Sequence, residues 1–200
     1  MKTRAKWSWI FTGISITLIG VTRLLWAEVE LCDLEKMAKA EPGYECQVKT
    51  QNENVIWQLH VKTASGKKVW KDMKSGLLVS DILDGKFTQY QAQDMCTNPS
   101  SEDARGNLIS LNWSLPSGYP ESFNGKKGFP NKDSDFETLE KNGIRKVIDT
   151  SGRYFWSSSV HPFFSSNAYF FNGSYGGIFN FYRGYDGRDD YPGSVLCVSR

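Results

Sequence analysis

Apolar and polar residues alternate along residues 55–62, with the apolar side chains at the odd-numbered positions. An alternation with a period of two predicts a β-strand that buries one face. Residues 64–67 combine small and turn-forming residues, so we expect a turn there and a second strand beginning at residue 68. A short helix is predicted before this hairpin, over residues 28–40, because Pro42 and the glycine after it cannot continue a helix.

Two further helices are predicted downstream. One covers residues 87–95, with Thr88 as its N-cap, and the other covers residues 136–142 and ends at Gly143. Half of the chain's aromatic residues lie within residues 153–191, where they alternate with Gly, Ser and Asn. Aromatic residues separated by turn residues predict short antiparallel strands joined by loops.

The first residues have the pattern of a secretory signal. Residues 1–9 are basic, residues 10–21 form a short uncharged run, and Ala27 supplies a small residue for cleavage. A run of this length is short for a membrane span and typical of a signal peptide, predicted here as residues 1–27, with an uncleaved N-terminal anchor as the alternative. We therefore expect export to the periplasm, the cell surface or the medium. The mature chain would carry a small negative net charge, which excludes most nucleic-acid binders.

Four cysteines in an exported chain predict disulfides. Three pairings are possible, of which the short spacing favours Cys32 with Cys46 and so leaves Cys96 with Cys197. A structural zinc site is disfavoured because no two cysteines have the C-x-x-C spacing and the chain has only two histidines.

Four short sequence motifs follow one another along residues 69–200. They are Val69-Trp70-Lys71-Asp72 with Ser75-Gly76-Leu77, Trp113-Ser114-Leu115-Pro116, Phe155-Trp156-Ser157-Ser158-Ser159, and Val195-Leu196-Cys197-Val198-Ser199-Arg200. In this order, over residues 67–200, the chain resembles the Lcl C-terminal domain family of exported bacterial proteins. Ser114, Leu196 and Ser199 depart from that family's usual residues.

The resemblance implies an α+β, C-type-lectin-like fold, distantly related to formylglycine-generating enzymes, with two helices and small antiparallel sheets. It also implies that the termini of this domain meet and that a cysteine of its first helix bridges to its last strand. Cys96 and Cys197 lie at those positions, in agreement with the pairing that spacing favours. Residues 28–66 would then form a helix and hairpin extension that packs on the lectin-like domain.

The residues that are capable of catalysis are few. Of the two histidines, His60 lies in the predicted strand, and Ser157 with His161 is the candidate nucleophile and base. The G-x-S-x-G motif is absent, however, and the thiols needed for oxidation chemistry are assigned to disulfides. We therefore expect a protein that is not an enzyme. Calcium binding by the acidic loops at residues 186–190 and 133–135 is an alternative, although neither has EF-hand spacing and solvated turns are favoured.

The aromatic tract carries the main prediction of function. Phe155, Trp156, Phe170, Phe171, Phe179 and Phe181 are expected in the core of a small sheet, whereas the tyrosines, from Tyr169 to Tyr191, suit binding loops that also contain Asn, Arg and Asp. The predicted contact face consists of Tyr175, Asn180, Tyr182, Arg183, Tyr185, Asp186, Arg188 and Asp189.

These residues predict a recognition or adhesion module that binds a glycan or a surface protein. We expect no nucleic-acid partner and no membrane partner after signal cleavage. The alternative is a structural component of the cell envelope or of an oligomeric adhesin tip, in which aromatic residues are buried between copies of the chain.

Overall fold

The computed structural model of the chain describes residues 29–63, 66–97, 112–130, 132–182 and 192–200. It is an α+β structure with three α-helices and small, mainly antiparallel sheets. The elements in chain order are α1 (Leu34–Lys39), β1 (Glu45–Lys49), β2 (Asn54–Lys62), β3 (Lys68–Asp72), β4 (Leu78–Ser80), β5 (Leu83–Phe87), α2 (Gln89–Thr97), α3 (Asp135–Lys141), β6 (Tyr154–Val160), β7 (Asn167–Asn172), β8 (Ile178–Tyr182), β9 (Gly193–Val195) and β10 (Val198–Ser199). Two 3₁₀ turns, Glu121–Phe123 and Ile144–Lys146, flank α3.

The first sheet has the strand order β1-β2-β3-β4-β10. The alternation in the sequence is confirmed in β2, because Val55, Trp57 and Leu59 are buried while the two residues between them are half-buried. The predicted β2–β3 hairpin is also present, with Leu59 opposite Trp70. Residues 28–66 and residues 67–200 therefore share one sheet, since strands on either side of that division pair directly.

The N-terminal part differs from the prediction in two ways. The helix begins at Leu34 rather than at residue 28, because the Asp33 carboxylate accepts hydrogen bonds from two backbone N–H groups of the first turn, and the chain before it pairs with β1. Strand β1 is not among the predicted elements, although Cys46 and Val48 are buried on one face of this strand in an alternating pattern.

The second sheet has the strand order β5-β9-β6-β7-β8, which leaves β8 at its edge. Its pairings are antiparallel except between β6 and β9, which run parallel where Phe155 lies opposite Ser194. The resemblance implies one last strand around Cys197, whereas the structure has two strands there, β9 and β10, which belong to different sheets. Leu196 and Cys197 separate these two strands, and the backbones of Ser80 and Cys197 hydrogen-bond at that point.

Helix α3 contributes to a core that joins the two sheets. Its Phe136 stacks on Phe171 of β7 with 5.0 Å between ring centroids. At its other end the carbonyl of Asn142 accepts a hydrogen bond from the Trp57 indole at 2.8 Å, and the Asn142 amide donates to the buried Asp72 carboxylate at 2.6 Å. A buried carboxylate and amide that satisfy one another avoid the cost of unpaired polar groups in a core.

Both predicted disulfides are present. Cys32 bonds to Cys46, and Cys96 near the end of α2 bonds to Cys197, so the bridges close loops with sequence separations of 14 and 101. Such bridges are typical of proteins in oxidising, exported environments. The predicted signal peptide, residues 1–27, lies outside the described residues, and within the described ranges no helix is both long and apolar enough to cross a membrane.

Candidate functional site

The turn between β7 and β8 presents Tyr175, one of the predicted contact residues. The Asn172 side chain accepts hydrogen bonds from the backbone N–H groups of Ser174 at 2.9 Å and Tyr175 at 3.1 Å. The Gly176 N–H closes the turn by donating to the Asn172 carbonyl at 2.7 Å. The turn is thus held by its own hydrogen bonds while the Tyr175 side chain is 82% exposed.

This turn is also tied to the end of α3. Arg145 donates to the Ser174 carbonyl at 3.1 Å and makes a bidentate pair with the Glu140 carboxylate at 2.6 to 3.0 Å. The hydrogen bonds to Glu140 raise the pKa of Arg145. Gly176 has a φ of +83°, and a Cβ atom there would lie 2.2 Å from a Glu140 oxygen, so only glycine fits this contact.

The next two predicted contact residues lie on the edge strand β8. Asn180 is opposite Tyr169 in the β7–β8 register, and its side-chain oxygen accepts a hydrogen bond from the exposed Asn167 amide at 3.4 Å. Tyr182 pairs with Asn167 at the end of the same strand, and its side chain is outside what the structure describes. The remaining predicted residues, Arg183, Tyr185, Asp186, Arg188 and Asp189, lie outside the described residues and follow β8 directly in the chain.

An aromatic ladder crosses the same hairpin on the opposite face of the sheet. Trp156, Phe170 and Phe179 are opposite one another on β6, β7 and β8. Trp156 and Phe170 are buried, and the Trp156 indole donates to the Phe87 carbonyl at 2.7 Å. The ladder becomes exposed at the sheet edge, where Phe179 is 51% exposed, so the predicted core position of Phe179 is wrong. Phe155 and Phe171, predicted in the core, are buried on the other face.

Tyr169 also departs from the prediction, because it is a core residue and not part of an exposed loop. It is 1% exposed, and its hydroxyl has no hydrogen-bond partner among the described residues. Burial raises the pKa of this phenol. The ring packs between His161, whose imidazole stacks on it at 5.6 Å, and Phe129, which meets it edge-on at 6.2 Å.

Tyr169 lines a cleft of about 370 Å³ between β7 and the 117–135 segment. Asp135 lies in this cleft and is engaged on both oxygens: Ser117 donates to one from its N–H and hydroxyl, and Arg200 donates to the other at 2.5 Å. Asp133 is engaged as well, with Lys141 and Asn124. The acidic turn 133–135 therefore uses its carboxylates within the protein.

No group of three or more metal-ligating side chains is assembled within the described parts of the chain. The other acidic loop considered for calcium, residues 186–190, falls outside those parts. The carboxylates of the 133–135 turn have Lys141 and Arg200 as counter-charges, which leaves them with little capacity to attract a cation.

Ser157 and His161 do not form a nucleophile and base pair. The Ser157 hydroxyl is buried and donates to the Tyr169 carbonyl at 2.8 Å, while its oxygen accepts from the Ser159 N–H. His161 instead accepts a hydrogen bond from the Phe163 N–H on its Nδ1 at 3.2 Å. Both side chains thus stabilise the β6–β7 hairpin.

One exposed feature lies outside the predicted contact face: the β6–β7 turn with its two adjacent phenylalanines. Phe163 and Phe164 are 64% and 61% exposed. The sequence contains a signal for this exposed turn, because the two phenylalanines lie between Pro162 and a pair of serines. Turn residues on both sides of two bulky apolar residues indicate a hairpin tip rather than a buried strand.

Comparison of the chain with protein-family models gives no match, and comparison with curated proteins gives none either.

Proposed function

We propose that this chain is an exported recognition module, not an enzyme, that binds a glycan through the β7–β8 turn and the segment that follows β8. The observation that carries the proposal is Tyr175, a ring that is 82% exposed on a turn held by Asn172 and Arg145. A large exposed aromatic ring on a fixed backbone loses little conformational entropy when it binds.

The chemistry around this turn suits a sugar. The C–H face of a pyranose can stack on the Tyr175 ring, and amides such as Asn180 accept and donate hydrogen bonds to hydroxyl groups. Residues 183–191 continue directly from β8 and add Arg, Asp and Tyr, which are common in adaptable binding loops. The alternative ligand is a surface protein, and the glycan-array experiment described below distinguishes it from a glycan.

The lectin-like fold forms part of the same proposal. It is supported by the resemblance of residues 67–200 to the Lcl C-terminal domain family and by the bridge from the helix cysteine Cys96 to Cys197. Pairing of β10 with β4 further brings the end of the chain next to the start of this region, as that fold requires. The two disulfides support export, with the periplasm or cell surface as the proposed location.

A glycan-array screen of the oxidised protein tests this function, with calcium in one lane and a chelator in the other. We expect binding to a defined class of sugars, and loss of binding in chelator would assign a metal to the 186–190 loop. Changing Tyr182, Arg183 and Tyr185 together to Ala should abolish binding and leave the melting temperature nearly unchanged. A protein that binds no glycan in either lane contradicts the proposal and favours a protein ligand or self-assembly.

The second candidate function is structural, and the exposed edge of the second sheet favours it. Among the described residues β8 is the outermost strand of this sheet, and it carries the half-exposed Phe179, a combination that promotes strand pairing between copies of a protein. In that case light scattering should show a stable oligomer that dissociates when Tyr185 or Phe179 is changed to Ser. A monomer at all concentrations would exclude this function.

A further inference from the structure

The β6–β7 turn exposes two large apolar side chains to solvent. Phe163 and Phe164 are adjacent in the chain and among the most exposed large apolar side chains that the structure describes. Single exposed apolar residues are common on protein surfaces, but a protruding pair of phenylalanines is costly to keep in water and indicates a contact surface.

The turn holds both rings at the surface. His161 and Asn167 close it with two backbone hydrogen bonds, from His161 N–H to the Asn167 carbonyl at 2.9 Å and from Asn167 N–H to the Phe164 carbonyl at 2.8 Å. The imidazole of His161 contacts the Phe163 ring at 6.0 Å and the Phe164 ring at 4.9 Å, while its other contact is the buried Tyr169. The closed turn and the His161 ring thus hold both phenylalanines in place, so these side chains need no rearrangement to contact another surface.

Two lysines lie on the loop that packs against this turn. Gly128 approaches Pro162 so closely that a Cβ atom on the glycine would lie 2.9 Å from the proline Cβ. Lys126 and Lys127 directly precede this contact and are exposed, and the Lys126 ammonium lies over the Phe123 ring, 5.1 Å from its centroid.

The described acids near this loop pair with other basic residues. Glu121 and Asp133 pair with Lys141, and Asp135 pairs with Arg200. Within the described residues no ion pair includes Lys126 or Lys127. The surface that we call the aromatic-lysine tip, made of Phe163, Phe164, Lys126 and Lys127, therefore combines exposed apolar rings with a positive charge.

We propose that the aromatic-lysine tip docks the protein onto the surface of an anionic phospholipid bilayer. Phenylalanine rings insert at the level of the headgroups, and lysines beside them attract anionic lipids while their aliphatic stems pack on apolar surface. This surface contact is distinct from a membrane span, and it departs from the sequence-based expectation that the exported chain has no membrane partner.

The charge of the tip favours a lipid surface over a second copy of the chain. A symmetric contact between two tips would bring Lys126 and Lys127 of both copies together, and like charges repel. An anionic bilayer supplies the opposite charge and accepts a convex apolar tip without needing a complementary pocket.

The tip also lies where it leaves the proposed glycan site free. The β6–β7 and β7–β8 turns are at opposite ends of β7, a strand of six residues, and hence about 20 Å apart. A protein that docks through Phe163 and Phe164 would direct Tyr175 away from the bilayer. The inference goes beyond the proposed function and does not depend on it.

Vesicle sedimentation of the full chain tests the inference, with vesicles of phosphatidylcholine alone and of phosphatidylcholine mixed equally with phosphatidylglycerol. We compare the wild type with Phe163→Ser/Phe164→Ser and Lys126→Glu/Lys127→Glu. Phe179→Ser is the matched control, since this half-exposed phenylalanine is not part of the tip. All variants share the same N-terminal segment, so any difference between them reports on the tip.

We expect binding to the anionic vesicles that is at least tenfold weaker in both tip variants and unchanged in Phe179→Ser. Neutralising one lysine should weaken binding about fivefold, and salt should weaken it further. All four tip residues extend into solvent, so the melting temperature should stay the same. Equal vesicle binding by all variants, no binding to anionic vesicles, or a dimer that is lost in Phe163→Ser/Phe164→Ser would each overturn the proposal.

Discussion

At the scale of single residues, two buried tyrosines in one cleft differ in a hydrogen bond. The Tyr119 hydroxyl donates to the Lys132 carbonyl at 2.8 Å, whereas the Tyr169 hydroxyl has no partner within the described residues. Burial raises the pKa of both phenols. A buried hydroxyl without a partner costs free energy that a satisfied one does not.

This difference predicts opposite effects of the same substitution. Tyr119→Phe should lower the free energy of unfolding by about 1 kcal/mol, because it removes a hydrogen bond and leaves a carbonyl unpaired. Tyr169→Phe should leave the free energy unchanged or raise it by about 1 kcal/mol, because it removes an unsatisfied polar group. Urea denaturation of both variants measures this, and a larger loss for Tyr169→Phe would show that its hydroxyl is bonded in solution.

Exposure of single side chains was the part of the site that the sequence predicted least well. Alternation assigns residues to the two faces of a strand but does not show whether a neighbour covers each face. The sequence therefore predicts Phe179 in the core, whereas it is half exposed at the edge of the sheet, and it predicts Tyr169 in a binding loop, whereas it is buried. Tyr175 is exposed as expected, since glycines on both sides of its short segment predict a turn.

At the scale of elements, short-range signals placed most helices and strands. Thr88 caps α2 as predicted: its hydroxyl accepts from the Gln91 N–H, and the Gln91 side chain accepts from the Thr88 N–H. The extent of α1 and the existence of β1 depend on contacts between them, including the Cys32–Cys46 bridge and the pairing of Leu31 with Gln47. These contacts join residues that are far apart in the sequence, so local helix and strand propensities do not predict them.

The β7–β8 turn gives a prediction at this scale. Gly176→Ala should lower the free energy of unfolding by more than the 1–2 kcal/mol or so that a positive φ alone costs, because the new methyl group would also meet the Glu140 carboxylate. Gly152→Ala is the control: φ there is +67°, and nothing lies within 4 Å of the added atom. Thermal denaturation compares them, and equal losses would show that the contact between the turn and α3 is loose.

At the scale of the whole molecule, long-range pairing joins segments that local patterns treat separately. The sheet formed by β1 to β4 ends with β10, the last strand of the chain, and the parallel contact between β6 and β9 has no short-range signal. The α+β class and both cysteine pairings were predictable from composition, spacing and resemblance. The allocation of β9 and β10 to different sheets was not, because it depends on packing around Leu196 and Cys197.

The two disulfides should differ in their effect on stability. In the chain-entropy model the Cys96–Cys197 bridge, with a sequence separation of 101, contributes about 4–5 kcal/mol, and the Cys32–Cys46 bridge, with a separation of 14, contributes about 3 kcal/mol. Replacing Cys96 and Cys197 with Ala should therefore lower the melting temperature more than replacing Cys32 and Cys46. A larger fall in melting temperature for the Cys32 and Cys46 variant would show that the disulfide of the N-terminal extension is the main stabilising bridge.

The central claim is that Tyr175 binds a glycan, and an equilibrium titration of the best glycan from the array tests it most directly. Wild-type protein is compared with Tyr175→Ala and with Tyr154→Ala, an exposed tyrosine at the start of β6 that packs edge-on against Phe170, on the face of the sheet opposite Asn180. We predict that Tyr175→Ala weakens binding at least tenfold, as expected for an aromatic hot spot, while Tyr154→Ala binds like the wild type. Unchanged affinity in Tyr175→Ala, or equal losses in both variants, would contradict the proposed site.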